Sequence, residues 1–381
     1  MNNSNPKIIF VHNTPMWYRR PFFNLLGQIY DINFIFTHMN ISKEIYGVEL
    51  DNKIEGMENT NYMVIKNYFK IAWGAIIESF GNYDIFVGGS WDSLPEIVET
   101  AFYFTISKFR RKKFIIWSED WSWKIKSRKR KLIKPFVRFI IKNSDAILVP
   151  GTKQKECTIY LGSKREKIFI MPNASNFSSE ENFSIDIKNK LMIKNKKIIL
   201  FVGRLVKQKG VDYLLKAFSR LKMEQDDIAL VIIGTGEYED ELKEMVKDLK
   251  IEGDVYFLGQ IDNRLLTYYY TNSEVCIVPS ITDGMVDAWA FVVNEAMYCG
   301  KPVIATDAVG SAFDMIKNGK NGFIVPEKNS DALYDSMKII LSDEKLRKEM
   351  GMESKKIIEK GFKYENMIEG FSKAVEYVKN K

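Results

Sequence analysis

Short apolar runs alternate with longer helical patterns along the chain, and the alternation occurs in two successive series. The predicted strands of the first series are Lys7–Val11, Ile32–Thr37, Asp84–Gly88, Phe114–Ser118, Ala146–Val149 and Lys167–Met171. Those of the second are Lys197–Val202, Ala229–Ile233, Val255–Leu258, Val275–Pro279, Pro302–Thr306 and Gly322–Val325. Strands that alternate with helices form parallel sheets with helices on both faces. The sequence therefore predicts an α/β protein with two doubly wound sheets.

A polar segment rich in Ser and Asn separates the two series. We predict an N-terminal domain over residues 1–173, a linker over 174–196 and a second domain over 197–361. The last helical segment, 362–381, either closes the second domain or crosses back onto the first. A length of 381 residues fits two domains of ordinary size.

Several protein classes are excluded by composition and pattern. The three cysteines, Cys157, Cys276 and Cys299, are far apart, which argues against a disulfide framework or a zinc site. No signal peptide is recognisable and no run of about 18 apolar residues occurs. These features predict a cytoplasmic protein from a reducing compartment.

Positive charge is concentrated in residues 108–142, which contain 14 Lys or Arg and two acids. Such a patch attracts lipid headgroups, nucleic acid or anionic substrates. A solvated helix face is the alternative interpretation.

The second domain opens with a strand followed by Gly203, Arg204, a short turn and Lys209-Gly210 before a helix. This order directs two cations and the amides of a helix N-terminus to one point beyond the strand, which predicts a diphosphate site. A later loop carries Gly234 and Gly236, but the acidic helix start that follows it favours a tight βα turn.

A further segment places Asp287 just before a predicted helix, Phe291–Tyr298, and Glu295 within that helix. The amides at the helix start can bind phosphate, and carboxylates accept hydrogen bonds from hydroxyls. Two acids on either side of an anion site suit a sugar nucleotide. An N-terminal capping acid and an exposed helical Glu are the alternative.

The motifs of the second half resemble a known family. The sequence reads F-V-G-R-L, K-G, V-P-S, an acid, then N-E-A-M, C-G-K-P-V-I-A and N-G-F-I-V in this order, over about residues 197–326. It is similar to the nucleotide-sugar half of the retaining family 4 glycosyltransferases, which have the GT-B fold of two Rossmann-like domains facing across a cleft. The first half is similar more loosely, through Y-R-R-P-F-F-N-L-L, W-S-E-D, S-D-A-I-L-V-P and I-M-P-N-A.

The resemblance implies a role for each matching residue. Arg204 and Lys209 would hold the donor diphosphate, Glu295 the ribose hydroxyls, and Asp287 would contact the transferred sugar. The other implied donor contacts are Gly203, the backbone of Ala288, Trp289, Ala290, Phe291 and Val292, and the base-binding turn with Gly259 and Ile261.

Two departures from the family pattern concern the transferred sugar. Asp287 replaces the usual glutamate, and Ala290 replaces a glycine. The preceding loop is also longer by residues 283–286, so Asp283 is an alternative acid. We favour Asp287 because of its spacing to Glu295 and the aromatic Trp289 after it.

On the acceptor side, the candidates follow the strands of the first domain. His12 and Asn13 end the first strand, and Glu119, Asp120 and Trp121 follow a middle strand. A structural role is the alternative for His12, and a surface ion pair is the alternative for the acids.

The sequence thus predicts a retaining glycosyltransferase that transfers a sugar from a nucleoside diphosphate to a hydroxyl of a lipid-linked or polysaccharide glycan of the cell envelope. No D-x-D follows a strand, so we expect neither a metal nor another cofactor. Residues 108–142 could also dock on an anionic membrane, at the inner face. A nucleotide-sugar epimerase or phosphorylase of the same fold, and a nucleic-acid-binding protein using residues 108–142, are the alternatives; we expect no nucleic-acid partner.

Overall fold

The computed structural model describes residues 5–39, 54–58, 60–121, 123, 128–175 and 187–381. The chain forms two compact units. The first comprises Met1–Asn176 together with Tyr364–Lys381, and the second comprises Phe177–Lys363.

The described part of the first unit contains a parallel sheet of seven strands in the order β3-β2-β1-β4-β5-β6-β7. The strands are β1 (Lys7–His12), β2 (Asp31–Phe36), β3 (Tyr62–Val64), β4 (Ile85–Val87), β5 (Lys113–Trp117), β6 (Ala146–Val149) and β7 (Ile168–Ile170). The helices between them are α1 (Arg20–Ile29), α2 (Trp73–Glu78), α3 (Leu94–Phe109), α4 (Arg128–Asn143) and α5 (Thr152–Tyr160).

The edge strand β3 is the one strand of this sheet that the sequence pattern did not predict. It has three residues, all half-buried, and pairs with β2 alone. A short edge strand lacks the continuous apolar run that marks strands buried on both faces.

The second unit contains a parallel sheet of six strands in the order β10-β9-β8-β11-β12-β13. The strands are β8 (Lys197–Val202), β9 (Ile228–Ile233), β10 (Val255–Phe257), β11 (Ser273–Val278), β12 (Val303–Thr306) and β13 (Gly322–Val325). The helices are α6 (Ile187–Lys190), α7 (Val211–Lys222), α8 (Glu239–Asp248), α9 (Asn263–Asn272), α10 (Phe291–Tyr298), α11 (Ala312–Met315), α12 (Ser330–Ser342) and α13 (Glu344–Gly361). All six strands predicted for this half are present.

Both sheets are covered by apolar side chains on their two faces. Each residue of Ile228–Ile233 is buried, and alternate residues of this strand belong to two different clusters of the second unit. The first unit likewise has one cluster on each face of its sheet. The prediction of two doubly wound parallel sheets is confirmed.

The C-terminal helix α14 (Tyr364–Lys379) belongs to the first unit. The ring of Phe371 stacks on that of Phe10 in β1, with ring centroids 5.9 Å apart. The hydroxyl of Tyr30 donates to Oγ of Ser372 at 2.8 Å. A side chain at Gly370 would place its Cβ 2.3 Å from the carbonyl oxygen of Ile170, so glycine permits this close approach of helix and strand.

The predicted linker, residues 174–196, lies partly outside the described residues. Within its described part, Ile187 and Ile193 are buried in an apolar cluster of the second unit. These two residues of the predicted linker are therefore part of the core of that unit.

Candidate functional site

The loop after β8 is held by its backbone against neighbouring strands. The amide of Leu205 donates to the carbonyl of Thr235 at 2.9 Å, and a 3-10 turn, Lys207–Lys209, follows. Gly210 has a left-handed backbone with φ of 63°, and a Cβ there would lie 2.1 Å from the carbonyl oxygen of Pro279. The Lys209-Gly210 pair of the sequence motif therefore fixes this loop against the end of β11.

Lys209 and Asp287 form an ion pair at the carboxyl ends of β8 and β11. The Nζ of Lys209 lies 2.5 Å from Oδ2 of Asp287, and both side chains are largely buried. The hydroxyl of Ser280 donates to the same oxygen at 2.9 Å. The structure thus brings together two residues that the sequence analysis had assigned to different parts of one donor.

The backbone of Asp287 is held as firmly as its side chain. Its amide donates to the carbonyl of Ala308 at 3.0 Å, and its carbonyl accepts from the amide of Gly310 at 2.8 Å. These bonds fix the carboxylate in one position beside Lys209. By contrast, Asp283 is exposed in a loop where Gly284 adopts a left-handed φ of 69°.

Arg204 is exposed, and it directly follows Gly203 at the end of β8. The N-terminus of α10 has Ala290 as its N-cap, and alanine has no polar side-chain group that could cap the helix. Helix N-termini and arginine side chains are both anion-binding groups. An anionic ligand is therefore compatible with each of these elements.

The residues just before α10 contribute backbone to the surface while their side chains lie in the core. Trp289 is buried and its indole Nε1 donates to Oδ1 of Asn294 at 3.0 Å. Ala290 is also buried, and it lies with Trp289 in an apolar cluster of the second unit. Phe291 and Val292 are half-buried against this cluster. Because its side chain lies in the core, Trp289 would offer a ligand its backbone. Ala288 is half-buried.

Glu295 is half-buried in α10, and its Oε2 accepts a hydrogen bond from the hydroxyl of Tyr270 at 2.7 Å. Burial raises the pKa of Tyr270, and the carboxylate of Glu295 raises it further. The same two causes raise the pKa of Cys299 to about 12. Sequence reasoning missed Tyr270, because one tyrosine in the run Tyr268–Tyr270 carries no distinguishing signal.

The two glycines of the loop after β9 pack against the loop after β8. A Cβ at Gly234 would lie 2.0 Å from the carbonyl oxygen of Gly203, and one at Gly236 would lie 2.2 Å from that of Leu205. This close approach agrees with the interpretation of a tight βα turn. The amide of Gly234 in turn donates to the carbonyl of Gly259 at 2.8 Å. Gly259 has a left-handed φ of 64°, and Ile261 packs on the apolar cluster beside it.

In the first unit, Glu119 is part of a hydrogen-bonded cluster with Arg19 and Asn173. The Oε1 of Glu119 accepts from Nη2 of Arg19 at 2.6 Å and from Nδ2 of Asn173 at 2.9 Å. Arg19 is almost fully buried, and its guanidinium lies 4.5 Å from the ring centre of Trp117. Arg19 was missed as a site residue, although the Y-R-R-P motif contains it.

His12 is half-buried between the rings of Phe23 and Trp117. Its Nδ1 lies 3.1 Å from the carbonyl oxygen of Thr14. Burial lowers the pKa of His12 to about 3, with a further contribution from the charge of Arg19. The imidazole is therefore neutral at physiological pH, and its Nδ1 also lies 3.3 Å from the amide nitrogen of Thr14.

The remaining acceptor-side candidates have different environments. Asp120 pairs with Arg130 at 3.1 Å, and that arginine also lies over the ring of Trp123. Trp121 is half-buried, and Asn13 is exposed. His12, Asn13 and Glu119 line one cavity of the first unit, which also has a wall formed by Gly88–Asp92 that the sequence analysis did not single out.

The described residues contain neither a side-chain cluster suited to a metal ion nor a membrane-spanning helix. Within these ranges, no three His, Cys, Asp or Glu side chains are grouped so as to hold a metal ion. No helix among them is long and apolar enough to span a bilayer.

The two parallel-sheet α/β units are Rossmann-like, and two such domains in one chain define the GT-B fold. The structure is similar over its length to that of HepE from Anabaena in complex with UDP, with a TM-score of 0.75 and 16% identity, covering 97% of this chain and 99% of that one. Residues 182–357 match the family model of the glycosyl transferases group 1.

Curated relatives agree with this match. An uncharacterised glycosyltransferase of Methanocaldococcus jannaschii is 29% identical over 56% of this chain and 55% of its own length. A GalNAc-α-(1→4)-GalNAc-α-(1→3)-diNAcBac-PP-undecaprenol α-1,4-N-acetyl-D-galactosaminyltransferase of Campylobacter jejuni is 29% identical over 62% of this chain and 61% of its own length. The chain thus spans little more than half of the relatives it matches. None of these findings favours the epimerase alternative.

Proposed function

We propose that the protein is a retaining glycosyltransferase that transfers a sugar from a nucleoside diphosphate to a hydroxyl of a glycan acceptor. The observation that carries this proposal is the ion pair of Lys209 and Asp287, held beside the N-terminus of a helix at the strand ends of the second unit. A cation for a diphosphate and an acid for sugar hydroxyls are both required at such a site.

The donor would replace the contacts that these residues make with one another. The diphosphate would take up the charge of Lys209 and Arg204, together with amides at the start of α10. Asp287 would then accept hydrogen bonds from hydroxyls of the sugar. Glu295, oriented by Tyr270, would accept them from the ribose, while the turn at Gly259 and Ile261 would contact the base.

Catalysis would consist of stabilising the diphosphate as it leaves. Charge that develops on the leaving oxygen is compensated by groups already fixed in place, namely Lys209, Arg204 and backbone amides. We propose that these groups act without a metal ion. In the retaining mechanism implied by the family, the departing phosphate helps to deprotonate an acceptor that attacks from the same face of the sugar.

The first unit would hold the acceptor. The Campylobacter jejuni relative is named for a substrate linked to undecaprenol through a diphosphate. We therefore propose a lipid-linked or polysaccharide glycan of the cell envelope as the acceptor class. An enzyme that acts on such glycans would work from the cytoplasm, docked on the inner face of the membrane.

The donor class is tested by a thermal-shift panel of UDP, GDP and ADP with their sugars. A ligand that binds the native state raises its melting temperature, so the matching nucleotide identifies the base. Calorimetric titration of that nucleotide then compares Arg204→Ala and Glu295→Gln with the wild type. Loss of a charged hydrogen bond worth about 1.5–3 kcal/mol predicts at least tenfold weaker binding by Arg204→Ala. Glu295→Gln should also bind more weakly.

A matched control is Arg220→Ala, which removes an arginine that pairs with Asp331 on the surface of the same unit. This variant should bind the nucleotide as the wild type does. Wild-type affinity in both site variants would show that the donor site is elsewhere. Failure of every nucleotide to raise the melting temperature would refute the proposed function.

A further inference from the structure

The first unit contains a cavity of about 150 Å³ at the carboxyl ends of β1, β4 and β5. A cavity of this volume holds a group of the size of benzene, which matches the ring atoms of a pyranose without its substituents. All of its lining residues belong to the first unit.

One wall of the cavity is a loop whose shape is fixed. Gly89 has a positive φ of 106°, and a Cβ there would lie 3.1 Å from the methyl group of Thr100. The hydroxyl of Thr100 donates to the carbonyl of Ser90 at 2.7 Å and accepts from the amide of Ser90 at 2.8 Å. The loop is thereby tied to α3, and the wall is preformed.

The lining is rich in carboxylates. Glu96 and Glu99, on consecutive turns of α3, are 8% and 3% exposed. Asp92 and Glu119 complete the group. Carboxylates are rarely buried without partners, so the contacts of each one decide what the cavity can bind.

The two buried carboxylates, Glu96 and Glu99, differ in how far the protein engages their oxygens. Glu96 accepts two hydrogen bonds from Ser93, both on Oε2. The bond from the Ser93 amide forms a capping box at the start of α3 together with the bond that the Glu96 amide donates to Oγ of Ser93. In the described part of the chain no hydrogen bond to its Oε1 is formed. Glu99 accepts from the amide of Ala72 at 2.8 Å and lies 3.5 Å from Nε2 of His38.

The residues around the cavity carry less positive charge than negative charge. Arg19 is already paired with Glu119, and His12 is neutral. Burial lowers the pKa of His38, but Glu99 and Glu96 outweigh this effect and the pKa is raised overall. Although part of Asp92 is exposed, desolvation by the surrounding protein and the charges of Glu96 and Asp120 raise its pKa to about 6.

Two residues that line the cavity carry buried hydrogen-bond donors that the described part of the protein leaves unused. Tyr103 lines the cavity and is 1% exposed, and its hydroxyl has no hydrogen-bond partner among the described residues. The indole Nε1 of Trp117, another lining residue, is also unpartnered there. Buried donors without partners are costly, which points to a ligand that supplies an acceptor.

A ligand that suits this lining must both donate and accept hydrogen bonds. Hydroxyl groups do both, whereas an ammonium only donates and a phosphate or carboxylate only accepts. An anion would satisfy Tyr103 but would lie beside Glu96, Glu99 and Asp92. Like charges at short distance strongly disfavour binding.

We propose that this cavity binds one uncharged or ammonium-bearing sugar ring of the acceptor and excludes rings that carry carboxylate, phosphate or sulfate. This inference rests on the proposed function, since it places the sugar acceptor in the first unit. It adds the class of sugar, which the fold does not specify.

The test measures binding of methyl glycosides to the full chain at pH 7.5 by saturation-transfer NMR. The panel pairs the methyl glycosides of glucose, galactose and mannose with the corresponding uronates. In at least one pair the neutral glycoside should bind about tenfold or more tightly than its uronate. Binding of the uronates as tight as that of the neutral members would overturn the proposal.

Two variants locate this selectivity in the cavity. Glu96→Gln removes one charge and still caps α3, because Gln also serves in a capping box. In this variant the neutral glycoside should bind only about threefold more tightly than the uronate, or less. The control Asp31→Asn makes a similar change at an exposed position at the amino end of β2, and it should leave the preference unchanged.

A third variant, Ser118→Leu, fills the cavity from a position that is 5% exposed. It should abolish binding of every glycoside while the donor nucleotide still raises the melting temperature. If no neutral glycoside binds the wild type while the nucleotide does, the cavity proposal is wrong and the proposed function stands. If no nucleotide binds but the neutral glycosides do, the proposed function fails and the assigned ligand class stands.

Discussion

The ammonium group of Lys209 lies 2.5 Å from Oδ2 of Asp287, although 78 residues separate the two in the chain. They meet because β8 and β11 are neighbours in a parallel sheet, so that their carboxyl ends lie at one edge. In this arrangement each charge compensates the other. A donor that takes both would exchange one set of charged contacts for another.

Replacing Lys209 with Met should lower the free energy of unfolding by about 1–3 kcal/mol, because a largely buried carboxylate loses its cation. Urea unfolding measures the change. The control is Lys243→Met, which removes the ion pair of an exposed lysine with Glu239 on α8 and should cost much less. Equal costs in the two variants would show that the Lys209–Asp287 pair behaves as a surface ion pair.

Asp287→Asn should lower turnover more than it lowers affinity for the bare nucleoside diphosphate, because the carboxylate is assigned to the sugar. Asp283→Asn should have a smaller effect, since this residue is exposed in the preceding loop. Steady-state kinetics and calorimetry with the donor nucleotide separate the two quantities. The opposite ranking of the two variants would assign the sugar contact to Asp283.

The lowered pKa of His12 predicts that the folded state loses stability in acid. Its folded pKa of about 3 is below the ordinary value of 6.5, so the unfolded chain binds a proton first as the pH falls. The contribution of His12 to the free energy of unfolding is fully present above pH 6.5 and decreases as the pH falls toward 3. Between pH 7 and 5 this single group accounts for about 2 kcal/mol.

His12→Gln should remove that part of the pH dependence, measured as the difference from wild type in urea unfolding at pH 7 and pH 5. His38 provides a control of opposite sign, because its pKa is raised by Glu99. Its contribution is present below pH 6.5 and is lost as the pH rises through the folded pKa. His38→Gln should therefore steepen the acid loss, and a parallel response of both variants would contradict the assignment.

The sequence predicted the two sheets well because their strands are apolar on both faces. Ile228–Ile233 is buried at every residue and reads as one continuous apolar run. By contrast, β3 has three half-buried residues and no such run. Periodicity identifies strands in the middle of a sheet more readily than strands at its edge.

The candidate site was predictable where a motif fixes the backbone. Lys209 and Gly210 follow a strand, and the contact of Gly210 with Pro279 requires a glycine at that position. Arg19 and Tyr270 could not be predicted in the same way. Each acquires its role from a residue more than 20 positions away, Glu119 and Glu295 respectively, and a single sequence does not reveal such pairs.

The proposed membrane docking can be tested on the exposed face of α4. Leu132 and Phe139 lie two turns apart on this helix and are 82% and 57% exposed. Arg128, Lys131 and Arg138 are exposed on the same helix. Arg130 is not counted among the bases available to a membrane, because it forms an ion pair with Asp120. Apolar side chains beside bases suit an anionic bilayer, to which each base contributes about 1 kcal/mol.

Substituting Arg128, Lys131 and Arg138 with Gln should therefore weaken co-sedimentation with anionic vesicles by about 100-fold at low salt, and binding by the wild type should decrease as salt screens the charges. Neutral vesicles should not sediment either protein. The control replaces Lys320, Lys345 and Lys348, exposed bases of the second unit, and should sediment as the wild type does. Donor binding should be unchanged in both triple variants, because none of these residues contributes to the Lys209–Asp287 site. A wild type that ignores anionic vesicles at low salt would leave α4 as a solvated face and would favour an acceptor that is not embedded in a membrane.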